Sequence, residues 1–154
     1  MTLEIGDSVP DFTLPADDGG TVSPADFRGK KLVIYFYPKD NTPGCTKEAI
    51  GFTDLVQDFA EADTEILGIS KDSIKKHRNF RSKHDLKIRL ASDAESDACE
   101  RFGVWQEKRM YGKSFMGIVR ATFLIDREGR IARVWPKVKV NGHAEEVLAA
   151  ARDL

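Results

Sequence analysis

The sequence of 154 residues predicts an α/β domain of three layers, with a central mixed β-sheet flanked by helices. Three observations carry that expectation. Two buried-strand patterns, Leu32–Tyr37 and Thr64–Ser70, enclose a stretch of helical periodicity, which makes a right-handed βαβ unit. The turn sequence Asp126-Arg-Glu-Gly129 joins two further strand-like segments, Val119–Asp126 and Arg130–Trp135, as an antiparallel pair. A closing helix follows Asn141-Gly142.

In chain order, Asp11–Leu14 and Thr21-Val22 flank the turn cluster Ala16-Asp-Asp-Gly-Gly20 and predict a short hairpin. The run Leu32–Tyr37 is β-branched and aromatic without alternation, as a strand covered on both faces must be. Apolar residues at Ala49, Phe52, Val56, Phe59 and Ala60 recur at helical spacing after Pro43-Gly44. Next come a polar helix over Ser73–His84 and a short one over Asp93–Phe102, closed by Gly103. In the last helix Glu145 and Glu146 sit near the positive end, and Val147, Leu148 and Ala151 face inward. Met110–Met116, with Gly112 and Gly117 nearby, is expected to be a mobile loop near the pocket. No repeat or linker divides residues 1–154, so a single domain is expected. At this length folding buries ~70% of the unfolded chain's surface, enough for a core without a disulfide framework or structural metal.

Composition narrows the function. With 25 acidic and 24 basic residues the formal charge is -1, which excludes a polybasic face for nucleic acid or anionic membrane. The longest apolar run is Leu32–Tyr37, far below the ~20 residues of a membrane span. Met1–Asp7 lacks the layout of a signal peptide, and two cysteines 54 positions apart form no CxxC pair. A cytoplasmic chain with reduced thiols is expected. His77, His84 and His143 match no zinc spacing and read as surface residues. Lys75–Arg78, Arg81 and Lys83 read as a solvated helix face, and Trp105 and Trp135 as residues packed on the sheet.

The informative segment is Pro38-Lys-Asp-Asn-Thr42-Pro43-Gly44-Cys45-Thr46-Lys47-Glu48. It places Cys45 in or just before the first turn of a helix, close to unpaired N–H groups and the positive end of the dipole. Both favour thiolate, so a depressed pKa and a reactive sulfur are expected over a small buried hydrophobe. Ionisation alone does little. Lowering a thiol pKa from ~8.5 to ~6 raises the thiolate fraction ~30-fold at pH 7. The accompanying loss of nucleophilicity returns ~13-fold of that. A fast reaction therefore needs donors aimed at the departing oxygen. Thr42 can reach the thiolate or an attacking oxygen across the turn. The amides of Gly44 and Cys45 are expected to point into the same pocket, shielded by the ring of Pro43. Glu48 shares a helix face with Cys45 and would disfavour the thiolate unless a cation lay between them. Arg120 is the candidate cation; spacing alone does not place it there, and a solvated strand end is its default.

Pro38-x-x-x-Thr42-x-x-Cys45 resembles the active-site motif of peroxiredoxins, and Thr42-Pro-Gly-Cys-Thr46 resembles the bacterioferritin comigratory protein (peroxiredoxin Q) branch. Asp11-Phe-Thr-Leu14, Leu67-Gly-Ile-Ser70, Phe102-Gly-Val-Trp105 and Phe123-Leu-Ile-Asp126-x-x-Gly129 match that branch too. The resemblance implies a thioredoxin-like fold. It implies reduction of hydrogen peroxide and organic hydroperoxides by a peroxidatic cysteine, here Cys45. Pro38, Thr42 and Arg120 would complete the active site, with Glu48 orienting the arginine and no metal, haem or flavin cofactor. Many members of the branch resolve the sulfenic acid with a cysteine five residues later, here Ile50, and others with one in the next helix, here near Phe80-Arg81. Only Cys99 remains. It reads as a buried structural thiol before a resolving cysteine, so an external thiol is expected: thioredoxin, glutaredoxin or a small thiol. A Cys45–Cys99 disulfide is the second choice, and it requires the alpha carbons to come within ~7 Å. The branch is often monomeric, and a monomer is expected. A dithiol carrier lacks its CxxC, a cysteine hydrolase lacks a neighbouring histidine, and a redox-sensing holdase with little turnover is the competing class.

Overall fold

The computed structural model describes residues 3–154. Strands β1 (Leu14–Pro15) and β2 (Thr21–Val22) pair antiparallel, a hairpin shorter than the sequence suggests because Asp11–Thr13 stay outside it. A 3-10 turn at Pro24–Phe27 leads into β3 (Lys31–Phe36), every residue of which is buried. Both of its faces are covered: Leu32, Ile34 and Phe36 enter one core, and Val33 and Tyr35, with Tyr37 just beyond the strand, enter the other.

The remaining elements are α1 (Pro43–Asp54), α2 (Val56–Glu61), β4 (Thr64–Ser70), α3 (Ile74–His84), β5 (Arg89–Ser92), α4 (Ala98–Arg101), β6 (Trp105–Met110), β7 (Lys113–Ile118), β8 (Ala121–Ile125), β9 (Ile131–Trp135) and α5 (His143–Asp153). The five-stranded sheet runs β5-β4-β3-β8-β9. Strands β3, β4 and β5 are parallel, and β8 and β9 join antiparallel. Residues Cys45, Phe52, Phe59, Phe80 and Val147 pack α1, α2, α3 and α5 against one face. The β1–β2 hairpin and α4 cover the other through Leu14, Val22, Ala98, Cys99 and Phe102. This is a thioredoxin-like three-layer fold with a mixed sheet.

Several local expectations are corrected. The helical periodicity after Pro43 belongs to two helices, because Leu55 leaves helical geometry (φ -103°, ψ 6°), although Ala49, Phe52 and Phe59 remain on the buried side. Only Ala98–Arg101 of the segment from Asp93 is α-helical; Asp93 stands outside it and caps it, accepting from the Ala98 and Cys99 amides at 3.0 and 2.8 Å. Strand β5 follows no glycine or proline and carries no β-branched or aromatic residue, so the sequence does not mark it. Met110–Met116 is not a loop but the end of the β6–β7 hairpin, turned through Tyr111 (φ 53°) and Gly112 (φ 75°). Two consecutive left-handed residues match the right-handed twist of paired strands.

The surface reading of the histidines fails for two of them. His77 is fully buried against Asp40 and the Ala91 carbonyl, and His143 is buried with Nε2 2.8 Å from Thr122 Oγ1. Burial holds the His143 pKa down at about 4. The basic face of α3 also turns partly inward: Arg81 Nε pairs with Asp17 Oδ2 at 2.5 Å, and Arg78 Nε donates to the Asp17 carbonyl. Both tryptophans pack as expected. Trp135 donates its indole N–H to Glu146 at 2.5 Å, and Lys71 lies 5.0 Å above the half-buried Trp105 ring.

Candidate active site

Strand β3 and Tyr37 end at Pro38, a half-buried residue whose ring cannot extend the ladder. The chain then passes Asn41, in left-handed geometry (φ 61°), to Thr42, the N-cap residue of α1, with Pro43 at its first position. Proline suits that place because the amide there would have no helical partner. The Thr42 side chain makes no capping bond. Its hydroxyl donates back to the Lys39 carbonyl at 2.8 Å and does not bond the sulfur, so its lone pairs stay available as acceptors. The first turn of α1 lacks carbonyl partners for the Gly44 and Cys45 amides.

Cys45 is 1% exposed, and its Sγ accepts from Arg120 Nη2 at 3.3 Å. Arg120 reaches it from the residue just before β8, where its carbonyl accepts from Val138 N at 2.9 Å. The other prong, Nη1, donates to Glu48 Oε1 at 2.7 Å, and Glu48 Oε2 is buried without a partner. The guanidinium thus stands between the sulfur and the carboxylate. Burial pushes the Glu48 carboxyl up to about 7, against the pull of Arg120. Burial opposes charge on Arg120, but Glu48 and Cys45 hold its pKa above the usual value. Gly44 makes the approach possible: a Cβ there would lie 3.1 Å from Arg120 Nη2.

Cys99 lies in the other core, with the sheet between the two sulfurs, and both cysteines are free. Burial and the adjacent Asp93 push its thiol well above the ordinary range. Of the residues singled out in the sequence, Cys45, Glu48, Arg120 and Gly44 are in mutual contact as a chain. Thr42, Pro43 and Pro38 border them on the loop, and Cys99 is apart. Asp40 in that loop was missed, and His77 beneath it on α3 was read as a surface residue. The signal was present, since His77 lies three residues before the buried Phe80 on the inner stripe of α3.

A buried cysteine at a helix start, held against a half-buried arginine on a thioredoxin-like sheet, defines a thiol-based oxidoreductase. The AhpC/TSA family matches residues 5–134. Peroxiredoxin Bcp of Bacillus subtilis is 50% identical over 154 residues, covering 100% of this chain and 98% of its own. Peroxiredoxin Bcp of Escherichia coli is 43% identical over 146 residues, 95% of this chain and 94% of its own. Among solved structures, peroxiredoxin Q of Xanthomonas campestris superposes with a TM-score of 0.90 at 45% identity, covering 98% of this chain and 96% of that one. The bacterioferritin comigratory protein of Xanthomonas campestris, studied for alkyl peroxide reduction in trapped intermediate and ligand complexes, gives 0.90 at 44% identity over 98% and 96% of the two chains. The chain belongs to the AhpC/TSA family, and within it to the Bcp and peroxiredoxin Q peroxiredoxins, which are thiol-dependent peroxidases.

Proposed function

We propose that Cys45 is the peroxidatic cysteine of a one-cysteine cycle that reduces hydrogen peroxide and organic hydroperoxides. The observation that carries this reading is the Arg120 fork, one prong on Cys45 Sγ and the other on Glu48. The thiolate attacks one peroxide oxygen, an S–O bond forms as the O–O bond breaks, and the departing alkoxide or hydroxide takes a proton to leave as alcohol or water. Arg120 and the Gly44 and Cys45 amides stabilise the charge that develops on that oxygen. Thr42 accepts from the peroxide O–H, Pro38 and Pro43 wall the pocket, and Glu48 orients the arginine.

The product is a sulfenic acid on Cys45. An external thiol then attacks its sulfur, releasing water and leaving a mixed disulfide that a second thiol resolves to a free disulfide and Cys45 thiol. The position of Cys99 across the sheet favours this route over an internal disulfide. Thioredoxin, glutaredoxin or a small thiol fits as reductant, and a cytoplasmic monomer is the setting we propose. Intact mass after one equivalent of peroxide tests the cycle. Gain of one oxygen on Cys45 supports it; loss of two hydrogens reports a Cys45–Cys99 bridge and overturns the one-cysteine route. Failure of the wild type to consume peroxide with a supplied dithiol would instead favour a sensor with little turnover.

A further inference from the structure

A buried polar cluster joins Asp40 of the Pro38–Thr42 loop to residues beneath it and takes no part in the chemistry above. The His77 ring on α3 has Nε2 2.9 Å from the Ala91 carbonyl oxygen and Nδ1 2.7 Å from Asp40 Oδ2. A carbonyl only accepts, so Nε2 carries a hydrogen. A second hydrogen must then lie between Nδ1 and Oδ2, whichever atom holds it. The other Asp40 oxygen accepts from the Tyr37 hydroxyl at 2.6 Å. The Asp40 amide donates to Asp72 Oδ2 at 2.8 Å, and the Ser70 hydroxyl donates to the same oxygen at 2.7 Å. Asp40, Asp72 and His77 are grouped closely enough to suit a metal ion. Their facing atoms are already hydrogen-bonded, however, which describes a clamp rather than a vacant ligand set.

Asp40 sits at a point of leverage. On one side is Lys39, whose carbonyl accepts from the Thr42 hydroxyl at 2.8 Å. On the other, beyond Asn41, is Thr42, whose own carbonyl receives the first helical bond of α1 from Thr46 at 2.9 Å. A shift of Asp40 therefore moves both the threonine hydroxyl and the turn that carries Cys45.

We propose that Asp40 and His77 are positioning residues for the peroxidase reaction: the hydrogen they share fixes the loop so that Thr42 and the first turn of α1 meet the peroxide in register. Neither touches substrate. A buried, fully hydrogen-bonded polar pair is a weak source of net stability but a strong source of a single geometry. The inference rests on the reading of Cys45 as the attacking sulfur.

Two substitutions at His77 separate positioning from simple support of the fold. His77→Asn places an amide nitrogen near the Nδ1 position and keeps a donor to Asp40. His77→Gln places one near the Nε2 position and keeps only the bond to Ala91. Both lower the melting temperature. The rate of Cys45 oxidation by hydrogen peroxide, followed in a single turnover well below melting, should stay within about threefold of wild type for His77→Asn. It should fall by about tenfold or more for His77→Gln, as expected when reacting groups are displaced by a fraction of an ångström. Equal rates in the two variants, whether high or low, would overturn the inference. If either variant does not fold, nitrogen NMR of the wild-type histidines decides. A hydrogen-bonded Nδ1 on His77 supports the clamp, and a Nδ1 with a free lone pair contradicts it. A wild type that does not react with peroxide would overturn the peroxidase reading itself, whereas a reactive wild type with indifferent His77 variants sinks only this proposal.

Discussion

The two cysteines are equally hidden, at 1% and 0% exposure, and each lies at the start of a helix. Their surroundings have opposite sign. At Cys45 the helix amides have no side-chain cap, and a guanidinium donates to the sulfur. At Cys99 a carboxylate, Asp93, takes up the Ala98 and Cys99 amides, pairs with Lys71 and faces the thiol. Burial by itself therefore says nothing about reactivity. The charge placed beside the sulfur, and whether the helix end is already satisfied, decides which thiol works.

The comparison is broken most sharply by exchanging the sulfurs one at a time. Cys45→Ser should abolish peroxide consumption in a coupled dithiol assay. Cys99→Ala should retain it within about twofold and cost about 1 kcal/mol in denaturant unfolding, the value of a small buried apolar group. Residual turnover in Cys45→Ser, or its loss in Cys99→Ala, would invert the assignment.

A smaller effect is expected at Gly44. Because an added Cβ would crowd Arg120 Nη2 at 3.1 Å, Gly44→Ala should slow Cys45 oxidation by about tenfold, with little change in melting temperature. A wild-type rate would show that the close approach of the guanidinium is not needed.

Glu48 tests the other prong. Glu48→Gln keeps an acceptor for Arg120 and imitates the protonated acid. With the carboxyl titrating at about 7, the variant's peroxide rate should match wild type below pH 6. It should exceed wild type by roughly threefold above pH 8, where the native carboxylate draws on the arginine, a difference of about 0.7 kcal/mol. A constant ratio across this range would deny Glu48 that influence.

Glu48 and His143 together set a further prediction, in stability. Glu48 titrates near 4.5 when unfolded and about 7 when folded, so its contribution is complete below pH 4.5 and is lost as pH rises through 7. His143 titrates near 6.5 unfolded and about 4 folded, so its contribution is present above pH 6.5 and is lost as pH falls through 4. The two offset each other between those limits. Relative to wild type, Glu48→Gln should lose about 2 kcal/mol on acidification from pH 7 to 4.5. Parallel curves from chemical denaturation would contradict this.

Strands with strong local patterns were legible in the sequence. Leu32–Tyr37 read correctly because a run buried on both faces has no polar residue to interrupt it, and Thr64–Ser70 through the buried Ile66, Leu67 and Ile69 despite the exposed Glu65. The β6–β7 hairpin did not, because Met110, Tyr111, Phe115 and Met116 are apolar yet exposed, and a two-stranded ribbon outside the main sheet leaves no burial pattern. In the site, Cys45 and Glu48 could be related by helical spacing. Their electrostatic conflict called for a cation, and Arg120 stands between them from a distant strand. Asp40 and His77 stayed hidden for a different reason. A charged residue in a loop and a histidine in a basic helix look solvated, and only their meeting across the loop and α3 removes both from water.

Stopped-flow oxidation of Arg120→Met by hydrogen peroxide, with the product located by peptide mass, tests the central claim most directly. Methionine fills the space without donating. The account predicts that the single oxygen still lands on Cys45 but arrives about 10²–10³ times more slowly, the usual cost of removing a donor from a developing oxyanion. A rate within about twofold of wild type would mean that the guanidinium beside the sulfur is not what makes this cysteine, rather than Cys99, the reactive one.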